Sequence, residues 1–160
     1  LRDFGPSMSP TNAFYTLTGI ETLPLRMDRH CENAQKVAEF LRDHPQVNWV
    51  NYAGLPESPD NALAQKYMNG RASGILSFGI EGGQEAGARF IDALQLILRL
   101  VNIGDARSLA CHPASTTYRQ LDDKELANAG VSREMVRLSI GIEHIDDILA
   151  DISQALDAAR

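Results

Sequence analysis

A short segment near the end of the chain, Met135 to Ile140, alternates apolar and polar residues. The apolar positions are Val136, Leu138 and Ile140, and the polar positions between them are Arg137 and Ser139. A period of two is typical of a β-strand that has one face on a hydrophobic core. The pattern therefore predicts a strand on which Arg137 lies on the face turned away from the core.

A second segment, Leu98 to Ile103, has the same parity. Val101 and Ile103 share one face and Asn102 lies on the other, next to a Gly104-Asp105 turn signal. A guanidinium held on a strand is a rigid two-pronged donor that suits a carboxylate. We therefore expect two strands to present Asn102 and Arg137 to a common ligand.

The alternation of Arg137 with apolar residues also has a simpler interpretation. Long charged side chains in strands are usually exposed to solvent or form one half of a structural ion pair. Spacing alone does not separate this interpretation from ligand binding, so both stay open at the level of the sequence.

Length and composition limit the class of protein. The 160 residues fit a single domain, and 44% hydrophobic and 22% charged residues are typical of a globular protein in solution. The chain has no apolar run of membrane-spanning length and no signal-peptide pattern, so a cytoplasmic location is expected. A net charge of −6 without a basic cluster argues against nucleic acid and anionic membranes as partners.

The cysteines and histidines carry no metal-site or disulfide pattern. Cys31 and Cys111 are expected to be buried thiols, and the four histidines do not combine with them at metal-ligand spacing. His112 and Ser115 lack the glycine pattern of a nucleophile elbow, which argues against a hydrolase. The chain begins at Leu1 without methionine, which suggests the C-terminal part of a longer product.

Residue patterns predict an α/β fold. Residues 1–8 are expected to be an irregular lead-in, followed by a short helix over Ala13 to Ile20 that is interrupted at Gly19. A long helix, from about Thr22 to His44, is expected to place Arg26, Arg29 and His30 on a solvated face or at an interdomain contact. The remaining predicted helices are Ala62–Met68, Glu85–Leu96, Asp122–Ala129 and His144–Ala159, and the predicted strands are Val47–Tyr52, Gly74–Ile80, Leu98–Ile103, Ser108–His112 and Met135–Ile140. This order predicts a small, mostly antiparallel sheet with helices on one face, and the uncovered face meets a ligand or another domain.

Two motifs resemble a known enzyme family. They are Ser108-Leu109-x-x-His112-Pro113-Ala114-Ser115-Thr116-Thr117 and Val136-Arg137-Leu138-Ser139-Ile140-Gly141-Ile142-Glu143. Both resemble the C-terminal domain of the fold-type I pyridoxal-phosphate enzymes of cysteine and methionine metabolism. The resemblance extends over nearly all 160 residues. The segment Asn102 to Leu109 and the segment Gly141 to Asp147 are most similar to the O-acetylhomoserine sulfhydrylases.

The resemblance implies roles for three residues. The arginine that binds the α-carboxylate of the substrate matches Arg137, and its companion polar residue, a serine in the lyases, matches Asn102. Thr117 matches a threonine near the same carboxylate. Two positions depart from the family pattern, since Tyr118 stands where histidine is commoner and Cys111 where many members carry other residues.

The resemblance also implies pyridoxal phosphate as cofactor, which needs an imine-forming lysine. Lys36, Lys66 and Lys124 lie in polar helical surroundings rather than in the family's lysine motif. The chain is therefore expected to be a single small C-terminal domain, residues 1–160, without catalytic residues of its own. Its partners would be an N-terminal cofactor-binding domain and, in the full-length protein, the other subunits of a homotetramer.

Two functions from different classes follow. The first is the carboxylate-binding part of an enzyme that makes homocysteine from O-acetylhomoserine and sulfide or a small thiol. The second is a stand-alone amino-acid-binding or regulatory module without catalysis. Within the family, a cystathionine γ-synthase or γ-lyase is a further alternative.

Overall fold

The computed structural model describes Gly5 and residues 7–160. The predicted lead-in over residues 1–8 therefore lies largely outside the described residues. The helices are α1 (Pro10–Glu21), α2 (Leu23–Arg42), α3 (Asn61–Met68), α4 (Gly83–Ala93), α5 (Asp123–Asn128) and α6 (Ile145–Ala158), with one 3-10 turn at Pro113–Ser115. The strands are β1 (Val47–Asn51), β2 (Ile75–Ile80), β3 (Leu98–Arg99), β4 (Leu109–Cys111) and β5 (Met135–Ser139).

The five strands form one mixed sheet in the order β1-β2-β5-β4-β3. Three neighbouring pairs are antiparallel, and β3 and β4 are parallel. The prediction of an α/β fold with a small, mostly antiparallel sheet is confirmed. Strand β5 lies at the centre, so its residues are hydrogen-bonded to strands on both sides.

The core lies between one face of the sheet and helices α2, α4 and α6. Val136 and Leu138 of β5 are fully buried there, and Phe78 of β2 meets Phe90 of α4 edge to face with ring centroids 5.5 Å apart. Burying each side chain of this size contributes about 1.5–3 kcal/mol. The alternation of β5 therefore follows the predicted parity, with Arg137 on the opposite face.

Helix α1 does not show the predicted interruption at Gly19. It begins at the Ser9 cap, where the hydroxyl accepts a hydrogen bond from the backbone N–H of Asn12, and it continues through Gly19 to Glu21. A single glycine costs a helix only about 1 kcal/mol, so it need not break one. None of the residues of α1 is buried.

In helix α2, the prediction of a solvated face is wrong for His30. His30 is 2% exposed, and its Nδ1–H donates to the carbonyl of Ile140 at 2.6 Å. Ala34, Val37 and Leu41 are fully buried in this helix, whereas Leu23 and Met27 are exposed. The first turns of α2 therefore extend past the core.

The predicted third strand, Leu98 to Ile103, is much shorter in the structure. Strand β3 contains only Leu98 and Arg99, and Asn102 lies in the loop beyond it. Its partner β4 is three residues long, so the ladder ends soon after the N–H of Leu100 donates to the carbonyl of Ala110. The position of Asn102 on a strand is therefore a wrong prediction.

No helix in residues 7–160 is long and apolar enough to cross a membrane.

Candidate functional site

The site is centred on Arg137, in the middle of the central strand. Across the ladders, its register partners are Ser77 of β2 and Cys111 of β4. Pairing on both sides fixes the backbone that carries the guanidinium. Within Gly5 and residues 7–160, Arg137 forms no salt bridge with a carboxylate, so this part of the chain offers no structural ion pair for its charge.

Cys111 borders the guanidinium as a neutral group. Its side chain is buried, and burial raises the pKa of the thiol, although the charge and a hydrogen bond of Arg137 act to lower that pKa. The thiol is therefore protonated at neutral pH and does not neutralise Arg137. The expectation of a buried thiol is confirmed for Cys111, whereas Cys31 is only partly buried.

Trp49 of β1 lies on the same sheet face as Arg137, opposite Gly79 of β2. Its ring lies over Gly79, where no side chain would fit, and its Nε1–H donates to Glu134 Oε1 at 3.2 Å. This fixed aromatic ring bounds the face on one side. The Trp49 side chain is half-buried.

The opposite boundary is the loop of residues 100–107, called here the Asn102 loop. The backbone N–H of Gly104 donates to Ser139 Oγ at 3.4 Å, two residues beyond Arg137 on β5. Asn102 is exposed and its Oδ1 accepts from the N–H of Ile103 at 2.9 Å, whereas its two amide hydrogens have no partner among residues 7–160. The structure thus brings the Asn102 loop to the Arg137 face, although Asn102 makes no hydrogen bond to Arg137.

A second arginine in this loop is already neutralised. Arg107 donates from Nε and Nη2 to the two oxygens of Asp105, each at 3.2 Å. These hydrogen bonds hold the pKa of the Asp105 carboxyl below its usual range. Arg107 is therefore engaged within its own loop, and Arg137 is the better candidate to bind an anion on this face.

Thr117 lies just after the 3-10 turn that follows β4. It is exposed and lines an open cavity of about 770 Å³ formed by residues 116–121. Its neighbour Thr116 donates from Oγ1 to the carbonyl of His112 at 2.8 Å, which closes the turn. The structure does not bring Thr117 into hydrogen-bond contact with Arg137 or Asn102.

His112 fastens this turn to the body of the molecule. Its Nε2–H donates to the carbonyl of Arg133 at 2.8 Å, and Nδ1 accepts from Ser115 Oγ–H at 2.8 Å. Burial lowers the pKa of this imidazole, which favours the neutral form. Both ring nitrogens are engaged at 2% exposure, so the His112 and Ser115 pair is structural.

Two side chains that tie the segment after β5 to its neighbours, Glu143 and Asn33, were missed by the sequence reasoning. Glu143 accepts two hydrogen bonds from Ser108, and Asn33 Nδ2 donates to the carbonyls of Gly141 and Glu143 at 3.1 and 3.0 Å. The signal that could have found Glu143 is its place in the quoted motif, six residues after Arg137. Asn33 likewise lies in a stretch that resembles the family, Glu32-Asn33-Ala34, but its spacing gave no signal, because an amide in a helix is usually solvated.

The described residues do not fit a covalent pyridoxal-phosphate site. Lys36 pairs with Glu32 at 2.8 Å, Lys66 lies 4.9 Å from the Tyr67 ring centroid, and Lys124 is in the first turn of α5. All three are exposed on helices, far from the protected environment that an imine requires. In the same part of the chain, no three side chains of His, Cys, Asp or Glu are arranged to hold a metal ion.

Comparison with known proteins gives consistent matches. The model of the family described as Cys/Met metabolism PLP-dependent enzyme matches residues 1–157. The chain is 53% identical over 156 residues to O-acetyl-L-homoserine sulfhydrylase 1 of Thermus thermophilus, covering 98% of this chain and 37% of that protein. It is 49% identical to L-methionine gamma-lyase of Pseudomonas deceptionensis, covering 96% of this chain and 38% of that protein.

A solved structure supports the same comparison. A putative O-acetylhomoserine (thiol)-lyase from Campylobacter jejuni, which carries an N'-pyridoxyl-lysine-5'-monophosphate, matches with a TM-score of 0.89 and 45% identity. The match covers 98% of this chain and 37% of that one. The chain therefore spans little more than a third of the length of these relatives.

Proposed function

Because the chain belongs to the pyridoxal-phosphate-dependent enzymes of cysteine and methionine metabolism, we propose that its Arg137 face binds the α-carboxylate of an amino-acid substrate. Pyridoxal phosphate is the cofactor of this family, and when bound it supplies the electron sink for the chemistry. The residues of this chain would bind and orient the substrate.

The observation that carries this proposal is the half-buried guanidinium of Arg137, which pairs with no carboxylate in the part of the chain that the structure describes. A carboxylate can accept two parallel hydrogen bonds from such a group, and the central strand holds it in one orientation. The neutral Cys111 and Ser77 on either side do not compete for its charge. The site therefore favours a planar monoanion.

Asn102 is proposed as the second donor to the same carboxylate. Its Oδ1 already accepts from the N–H of Ile103, and its amide hydrogens, which have no partner in the described segment 7–160, would donate to the carboxylate. Thr117 is proposed to lie near the carboxylate from the adjoining turn. Both assignments rest on the family resemblance together with the exposure of these side chains.

The longer protein is proposed to be an O-acetylhomoserine sulfhydrylase that forms homocysteine from O-acetylhomoserine and sulfide. Identities of 53% and 55% to two named sulfhydrylases support this specificity over the 49% to a methionine γ-lyase. Asn102, where the lyases carry serine, supports the same choice. A homotetrameric assembly and a cytoplasmic location stay predictions from the sequence.

Residues 1–160 are proposed to be a single domain at the C-terminal end of that protein. The support is the exposure of all three lysines together with the resemblance of the two motifs to the C-terminal domain. Sequencing the complete coding region tests this directly. A cofactor-lysine motif upstream of Leu1 supports the proposal, whereas one downstream of Arg160 would place the chain at the N-terminal end.

The test of the activity is a side-by-side assay of the full-length protein. Its three reactions are O-acetylhomoserine with sulfide, O-succinylhomoserine with cysteine, and methionine alone. We expect the first to have the highest kcat/KM. A higher value for either of the others would replace the sulfhydrylase assignment, and binding of amino acids without turnover would favour a regulatory module.

A further inference from the structure

A carboxylate lies at the point where the Asn102 loop rejoins the sheet. The backbone N–H of Ser108 donates to Glu143 Oε1 at 2.6 Å, and Ser108 Oγ–H donates to Oε2 at 2.9 Å. The same hydroxyl accepts from the N–H of Gly141 at 2.9 Å. Ser108 is fully buried, so each of these hydrogen bonds replaces one that water would otherwise supply.

These bonds join two segments that are distant in the sequence. One is the end of the Asn102 loop at Ser108, and the other is the stretch Gly141 to Glu143 that follows β5. The N–H of Ile142 donates to the carbonyl of Ala106 at 2.9 Å along the same seam. Gly141 has no space for a side chain, because a Cβ there would collide with the Ala106 carbonyl and with Glu143.

The two sides of this seam differ in how firmly they are held. The stretch after β5 is anchored to α2, because His30 donates to the carbonyl of Ile140 and Asn33 donates to those of Gly141 and Glu143. The Asn102 loop is exposed over most of its length and touches β5 through the bond from Gly104 to Ser139 at 3.4 Å. Apart from the bond from Ile142 to Ala106, its end near the sheet is held by the two bonds from Ser108 to Glu143.

We propose that Glu143 is a positioning residue that sets the Asn102 loop relative to Arg137, so that both donors reach one carboxylate. The proposal rests on the proposed carboxylate site. Both carboxylate oxygens are needed, since each accepts from a different donor of Ser108. A small displacement of a binding group is enough to weaken an oriented contact. Loss of the Glu143 hydrogen bonds should therefore have a measurable effect on substrate binding.

The test variant is Glu143→Gln in the full-length protein. A carboxamide of the same shape has one acceptor oxygen, so its NH2 group would face a donor of Ser108. We expect the KM for O-acetylhomoserine to rise roughly tenfold, with kcat within about threefold of wild type, as for loss of one hydrogen bond to a charged group. Glu81→Gln is the matched control, because the Glu81 side chain is exposed and has no hydrogen-bond partner in residues 7–160.

A substrate analogue separates positioning from general destabilisation. O-Acetylhomoserine amide, which lacks the α-carboxylate, should compete equally well for the wild type and for Glu143→Gln. Equal weakening of the carboxylate substrate and of the amide would overturn the proposal. Arg137→Ala, assayed in parallel, tests the carboxylate site itself, so the two failures can be told apart.

Two changes at Ser108 cover the case in which Glu143→Gln does not fold. Ser108→Ala removes the hydroxyl and should raise KM in the same way. Ser108→Thr keeps the hydroxyl, so its KM should stay within about threefold of the wild-type value. If Arg137→Ala raises KM strongly but neither Glu143→Gln nor Ser108→Ala does, Glu143 has no positioning role and the carboxylate site stands.

Discussion

At the residue scale, Arg137 shows what a local pattern can predict. The alternation of β5 indicates its face correctly, because a strand places successive side chains on opposite sides whatever surrounds them. His30 and Glu143 are different cases. The hydrogen-bond partner of His30 is 110 residues away in the sequence, and that of Glu143 is 35 residues away. No spacing rule along the chain reports such partners.

Replacing Arg137 should damage substrate binding more than cofactor binding. Arg137→Lys keeps the charge but loses the paired hydrogen bonds, and Arg137→Ala loses both. We expect kcat/KM of the full-length protein to fall by about ten- to a hundredfold for lysine and by more for alanine, because hydrogen bonds to charged groups are worth roughly 1.5–3 kcal/mol. The cofactor absorbance spectrum should stay nearly unchanged. Unfolding of Arg137→Ala, with unaltered substrate affinity in the folded fraction, would instead support a structural ion pair.

His112 should make the fold sensitive to acid. Burial lowers the pKa of its imidazole, so the unfolded state binds the proton more readily than the folded state. The stability it contributes is complete above the unfolded-state pKa of about 6.5 and is lost as the pH falls below it. We expect His112→Gln to flatten the decline of thermal midpoint between pH 7.5 and 5.5, while lowering the midpoint at pH 7.5. His44→Gln, at a less buried imidazole, should flatten it less.

At the scale of elements, the long periodic segments were predicted well and the sheet edge was not. Helix α6 and strand β5 have one strongly apolar face, so burial fixes their type and parity. The sequence pattern predicted a strand of six residues at β3, but only two residues pair with β4. The end of a ladder is determined by the partner strand, which the local pattern does not report. The predicted helix over Glu85–Leu96 likewise ends early, at Ala93.

The early end of α4 depends on a buried carboxylate of α6. Asp151 is 6% exposed and accepts hydrogen bonds from the backbone N–H groups of Gln95, Leu96 and Ile97 at 2.9, 3.0 and 2.8 Å. Removing the Asp151 carboxylate would leave these three backbone N–H groups, which lie just before β3, without their hydrogen-bond acceptor.

Asp151→Ala should therefore destabilise the protein by roughly 3–5 kcal/mol, since several hydrogen bonds to one charged group are lost together. Asp151→Asn should cost less but remain clearly measurable, because its NH2 group faces amide donors. The matched control is Asp157→Asn on the same helix, where the carboxylate is exposed and pairs with Arg160. Denaturant unfolding would show the difference, and equal stability of the Asp151 and Asp157 variants would contradict this account.

At the scale of the whole molecule, the described part of the chain carries the proposed binding face and no lysine in a setting that suits a covalent cofactor. The sequence motifs indicated the family, and the fold confirms the arrangement of sheet and helices. Several apolar residues of α1 and the start of α2, including Phe14, Tyr15, Leu17 and Leu25, are more than half exposed. Their burial state could not be predicted from periodicity, because it depends on what packs against them.

The chain of 160 residues alone should form no stable imine with pyridoxal phosphate. Its lysines are exposed on helices, where an imine is open to hydrolysis. We expect no stoichiometric imine absorbance band after gel filtration, whereas the full-length protein should retain one. A retained band that disappears on substitution of Lys36, Lys66 or Lys124 would contradict this expectation.

The central position of β5 has a consequence for how the two proposed donors respond to thermal motion. Arg137 sits on a strand that is paired on both sides, so its backbone can open only when much of the domain unfolds cooperatively. Asn102 sits on an exposed loop that can detach locally at far lower free energy. The proposed arginine anchor is thus permanent, and affinity at the proposed carboxylate site can be adjusted by the opening equilibrium of the loop without any loss of the folded core.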